Sequence, residues 1–169
     1  MDARYPIGRF DQQEPISLAV AIERIARLPS ELRTAAEGLT ERQLETPYRE
    51  GGWTARQVIH HLADSHVNSY VRIRLALTED KPTIRPYDEK LWAELPDGKL
   101  GPIGPSLSMI EGLQTRWAAL LGSLKPADFD RGLIHPVNGE MTIGRTVRVY
   151  AWHGRHHLAH LELSRKAGA

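Results

Sequence analysis

The sequence predicts an all-α fold: a four-helix bundle with a small β-hairpin before the last helix and one long crossover loop. Three observations carry this. Long segments repeat apolar residues at spacings of three and four, which gives a helix one buried face. Capping-box sequences stand at Thr40–Gln43 and Thr54–Gln57, where helices begin. An Asn138-Gly139 pair separates two short runs, as a tight hairpin turn requires. A chain of 169 residues suits one domain over 1–169 and can bury a core of its own.

Taken in order, residues 1–15 read as an irregular arm with Pro6, Gly8 and Pro15. Residues 16–38 read as helix, with Leu18, Ile22, Ile25, Leu28, Leu32 and Ala35/Ala36 on one face. Pro29 is expected to bend it or to start a second segment, because proline lacks the amide hydrogen a helix interior uses. Thr40–Gln43 opens a short turn and 46–52 is a loop. Thr54 caps a second long helix to about Thr78. Residues 79–105 hold five prolines and three glycines and cannot be one regular element. A loop this long is expected to be a lid, a binding loop or an oligomer contact. A third helix spans about Ser106–Ser123, a hairpin 131–143, and a last helix about Thr142–Lys166.

Composition removes several functions. The net charge is +1, so neither nucleic acid nor an acidic membrane surface is an expected partner. No apolar run reaches the roughly 20 residues needed to span a bilayer. The first ten residues carry charge and proline and no apolar stretch, so a cytoplasmic location is expected. There is no cysteine. That excludes disulfides, thiolate metal sites and a cysteine nucleophile, and leaves histidine as the metal-binding resource.

Seven of the eight histidines fall in two runs, HHLADSH at 60–66 and HGRHHLAH at 153–160. Residues four apart on a helix lie about 40° apart, so His156 and His160 share a face. With Val149, Trp152 and Leu163 they form a stripe of the kind that faces a bundle core. His153 and His157 are also four apart and are expected at the stripe's edge. On the second helix His60, His61 and His66 are all candidates. His61 lies on a stripe of small residues with Val58, Ser65 and Ser69 that leaves space. His60, His66, His153, His157 and the lone His135 receive no role. Two imidazoles from one helix and one from another make a divalent metal site with an open position. No Glu-x-x-His pair is present, and Glu162 and Glu111 are the nearest helical candidates for a fourth ligand, with nothing further to support either. No HExxH motif is present, so no zincin-type base is expected.

The stretches PYREGGWTARQVIHHLADSHVNSYVRIRLALTE at 47–79, IRPYDEKLW at 84–92 and HHLAH at 156–160 resemble the YfiT branch of the DinB/YfiT superfamily. The resemblance runs over nearly the whole chain. It implies a DinB-type four-helix bundle, a homodimer, and one zinc or nickel ion per chain on three histidines. Carried over by motif position, these are His61, His156 and His160. A further family histidine just before HHLAH is replaced here by Arg155, with little expected consequence. Members of the branch are called metal-dependent hydrolases, and relatives of the same fold act as thiol S-transferases with bacillithiol or mycothiol. The expected function is metal-assisted hydrolysis of a small molecule. Thiol transfer on the same metal comes second, and a purely structural metal third.

Overall fold

The computed structural model describes residues 2–169. Its long helices are α1 (Leu18–Ala36), α3 (Ala55–Thr78), α6 (Gly104–Ser123) and α7 (Ile143–Ala167). Between them lie the short helices α2 (Glu41–Leu44), α4 (Glu89–Ala93) and α5 (Pro96–Leu100) and the strands β1 (Gly132–His135) and β2 (Gly139–Thr142). The helices begin where capping chemistry directs. Thr40, Thr54 and Thr142 each accept a hydrogen bond from the third amide of their helix, and at Thr40 and Thr54 the glutamine three residues on closes the box.

The hairpin is antiparallel, with Gly132 opposite Thr142 and His135 opposite Gly139. Gly139 takes the left-handed conformation (φ 74°) at the turn, where a side chain would be strained. Pro29 does not divide the first helix: α1 continues unbroken through it. The crossover loop is more ordered than its proline content suggests. Asp88 caps α4 through two amides, Pro96 starts α5, and Thr83 bridges to Ile134 of the hairpin.

The interior is in two apolar parts. Ala21, Ile25, Ile73, Trp117, Leu121 and Val147 fill one end. Leu28, Leu32, Val58, Ile59, Leu62, Ile110 and Leu161 fill the other. Between them runs a buried polar band containing His61, His66, Gln114 and His157. Ala55–Ala63 of α3 is buried at every position, because α4 and α5 cover the side that a simple four-helix bundle would leave to water. None of the helices is long and apolar enough to cross a membrane, among the described residues.

Candidate metal centre

The face that α7 turns to the bundle is the seam Ile143, Val147, Tyr150, Gly154, His157, Leu161 and Ser164, alternating steps of four and three. Gly154 sits where α1 presses closest: a Cβ there would lie 3.0 Å from both methyls of Leu28. His157 is thus on the seam, and His153, one turn earlier, leans from it toward α3. There they meet His61. One ring nitrogen from each of His61, His153 and His157 lies within 4.8 Å of the others. His61 Nε2 and His153 Nε2 are 3.2 Å apart.

The sequence reading expected His61, His156 and His160. These three are not gathered as one group among the described residues. His156 and His160 cluster with His157 instead, and His61 with His153 and His157. The cause is the chain's N-terminal arm. The stripe Val149, Trp152, His156, His160 faces no long helix. Trp152 donates its indole N–H to the Gly8 carbonyl and meets Phe10 edge-on. Tyr5 lies over His156, and Tyr48 stacks on His160 at 3.9 Å. An apolar stripe covered by an arm looks, in sequence, like one covered by a helix. The signal that separates them was the 4–3 seam through Tyr150, Gly154 and Ser164, masked because those residues are not aliphatic.

The remaining histidines back up this group. His153 Nδ1 lies 3.3 Å from His66 Nε2, and His66 Nδ1 lies 2.5 Å from the side-chain amide of Gln114 on α6. His157 Nδ1 lies 3.2 Å from His160 Nδ1, and His160 Nε2 donates to the Ala3 carbonyl at 3.1 Å. His60 points away, to Ser106 Oγ and the Gly101 carbonyl. Burial holds the imidazoles neutral. His61 is pushed down to about 4 and His66 to about 3, first by loss of water and then by neighbouring histidines. His153 and His157 are lowered well below the usual value for the same reasons.

The group fits a divalent cation. A cation needs unprotonated imidazole nitrogens, and these rings are neutral at pH 7. Metal–nitrogen bonds of about 2.0–2.1 Å at a tetrahedral angle set ligand nitrogens about 3.3 Å apart, close to the His61–His153 spacing. Imidazole-rich sets suit zinc, copper, iron and nickel.

The three rings line a cavity of about 560 Å³ with Trp53, Ser65, Tyr87, Glu89 and Tyr150. Tyr87 and Glu89 come from the crossover loop, which is therefore a wall of the site. Ser65 Oγ and Tyr150 Oη are 3.3 Å apart at this wall. Burial raises the Tyr87 hydroxyl, while a bond with Ser65 partly opposes the rise, so it stays protonated and can donate. A second cavity of about 660 Å³, lined by Arg4, Tyr48, Arg49 and His160, shares Trp53, Glu89, His156 and His157 with the first.

A DinB superfamily model matches residues 24–161. The chain belongs to that superfamily. Within it, a Bacillus cereus protein named "Putative metal-dependent hydrolase" is 52% identical over 98% of this chain and 96% of its own length. A Bacillus thuringiensis protein of the same name matches equally. The solved structure of YfiT from Bacillus subtilis, described as "a probable metal-dependent hydrolase with an unusual four-helix bundle topology", is 47% identical and superposes with a TM-score of 0.93 over 99% of each chain. TT2238, "a four-helix bundle protein", shares the fold at 20% identity and a TM-score of 0.61, over 86% of this chain and 98% of its own. The YfiT-branch resemblance seen in the motifs thus holds over the whole chain.

Proposed function

We propose that the chain is a metal-dependent hydrolase of small molecules, with one zinc or nickel ion held by His61, His153 and His157. The observation that carries this is the convergence of three neutral imidazoles from two helices on the wall of a sizeable cavity. The names of the relatives agree with it. A cation held by three imidazoles supplies Lewis acidity toward a substrate oxygen and lowers the pKa of water, to about 7 on zinc. The chain's own groups do the rest. Trp53, at 4.6 Å from the His61 ring, gives the site an apolar roof that excludes bulk water. The Tyr87 hydroxyl, held protonated, donates a hydrogen bond to a substrate oxygen. Ser65 and Tyr150 orient polar groups entering beside it.

Elemental analysis of tag-free protein tests the site. We expect about one zinc or nickel per chain in the parent and in His156→Ala, and none in His153→Ala/His157→Ala. Metal kept by the double variant and lost from His156→Ala would move the site to the His156–His157–His160 group. Absence of metal from every form after incubation with zinc and nickel would overturn the proposal.

A second reading is thiol transfer to an electrophile, with an external low-molecular-weight thiol as co-substrate. The two cavities that share Trp53, Glu89, His156 and His157 favour it, since they offer room for two reactants beside one centre. Metal-dependent consumption of added thiol with a generic electrophile, without ester or amide hydrolysis, would decide for it. The homodimer that the resemblance implies has a candidate surface in Leu91, Leu95 and Leu100, which are exposed around α4 and α5. Light scattering that gives the mass of one chain would remove it.

A further inference from the structure

We propose that His66 and Gln114 form a reversible hydrogen-bond chain that sets which nitrogen of His153 is free, pointing one way without metal and the opposite way with it. The inference rests on the metal site proposed above, and concerns residues that hold no metal themselves. His66 and Gln114 are both wholly buried. The Trp117 and Tyr150 rings meet His66 edge-on at 5.8 and 5.0 Å and enclose the imidazole. The contacts run without a break: Gln114 amide to His66 Nδ1, His66 Nε2 to His153 Nδ1, His153 Nε2 to His61 Nε2.

A chain of this kind has two self-consistent directions. In the first, the Gln114 NH2 donates to His66 Nδ1, His66 Nε2–H donates to His153 Nδ1, and His153 Nε2–H donates to His61. The structure shows this direction: Gln114 Nε2 faces His66 and its Oε1 is buried without a partner. A metal ligand at His153 Nε2 cannot keep that hydrogen. His153 must then carry its proton on Nδ1 and donate to His66 Nε2. His66 in turn carries its proton on Nδ1 and needs an acceptor. A half-turn of the Gln114 amide brings the unpartnered Oε1 to that place. Each ring holds one proton before and after, so the pair neither gains nor loses any. The exchange is with water during opening.

Glutamine is the side chain this requires. Its amide offers a donor or an acceptor at one position by rotation, glutamate chiefly accepts, and methionine offers neither in strength. Partners behind a ligating histidine fix its tautomer, and their loss usually weakens metal binding about 10–100-fold.

The test is nitrogen-15 NMR of the histidine rings with and without one equivalent of zinc, alongside zinc affinity by chelator competition. We expect the His66 proton on Nε2 without zinc and on Nδ1 with it. We expect Gln114→Met to bind zinc at least tenfold more weakly, and Gln114→Glu to stay within a fewfold of the parent. The same His66 tautomer in both states, or Gln114→Met binding as tightly as the parent, would overturn the proposal while leaving the metal site standing. A parent that binds no zinc would remove both. If Gln114→Met does not fold, the tautomer of the parent still decides.

Discussion

His160 Nδ1 lies 3.2 Å from His157 Nδ1, and the far nitrogen of His160 is tied to the carbonyl of Ala3. The N-terminal arm is therefore connected through one imidazole to a candidate ligand. Because His160 keeps its hydrogen on Nε2 to reach Ala3, its Nδ1 can only accept, and His157 donates from Nδ1. That leaves His157 Nε2 for the cation.

Removing residues 1–4 should accordingly weaken zinc binding about tenfold or more, the usual effect of losing such a partner. The helices should remain, since the arm contributes no residue to either apolar cluster's buried set. Chelator competition with far-ultraviolet circular dichroism reads both. Unchanged affinity would disconnect the arm from the site.

The metal-free protein should lose stability on mild acidification. His61 titrates at about 4 in the fold and near 6.5 unfolded, so the unfolded chain binds more protons between these values. Its contribution is complete above pH 6.5 and is lost as pH falls toward 4. His61 alone should cost about 2 kcal/mol between pH 7 and pH 5, and His66, lowered further, adds in the same direction. Urea midpoints at the two pH values measure this. A higher midpoint at pH 5 would contradict it.

Gly154 and Leu28 should show strong coupling. Gly154→Val drives a branched side chain into the Leu28 methyls and should cost about 1–3 kcal/mol. Leu28→Ala alone should cost about 2–5 kcal/mol by leaving a cavity. Combined, they should cost less than their sum, because the valine occupies the space the leucine vacates. Simple additivity in a denaturation cycle would show that α1 and α7 do not meet as described.

Arg56 is buried and bonds Glu45 at 2.6 Å, Glu41 at 2.5 Å and the Gly101 carbonyl at 2.9 Å. Arg56→Lys keeps the charge but cannot span two carboxylates of α2 and its C-cap and the Gly101 carbonyl at once. Thermal denaturation should show it destabilised by about 1–3 kcal/mol, with metal content unchanged. A variant as stable as the parent would mean these contacts count for little.

The sequence made the long elements legible because each carries a local instruction. Thr54 and Thr142 cap, Gly139 turns, and apolar spacing supplies the rest. It concealed what depends on distant chain. Pro29 lies inside α1, a helix that packs against α6 and α7, and its local sequence alone does not show that packing. α4 and α5 are too short to show periodicity. Which α7 histidines gather with His61 and which meet the N-terminal arm depends on distant chain whose docking leaves no periodic trace. His61, by contrast, stands beside the small Ser65 and Ser69 in the sequence pattern, and the fold gathers it with His153 and His157.

The polar band between the two apolar clusters has a consequence for how the molecule breathes. Side chains across it pack ring against ring, His66 on Trp117 and Tyr150 and His61 on His153, and they also hold one another through single hydrogen bonds. The backbone on either side is anchored by Trp117 and Ile73 at one end and by Ile59 and Ile110 at the other. Opening the turn of α3 between His61 and His66, or the turn of α7 facing it, means parting both clusters, so amide deuteration should enter the arm, the hairpin and the helix ends first and this layer late. A bound ion would tie α3 to α7 across that layer and slow its exchange further.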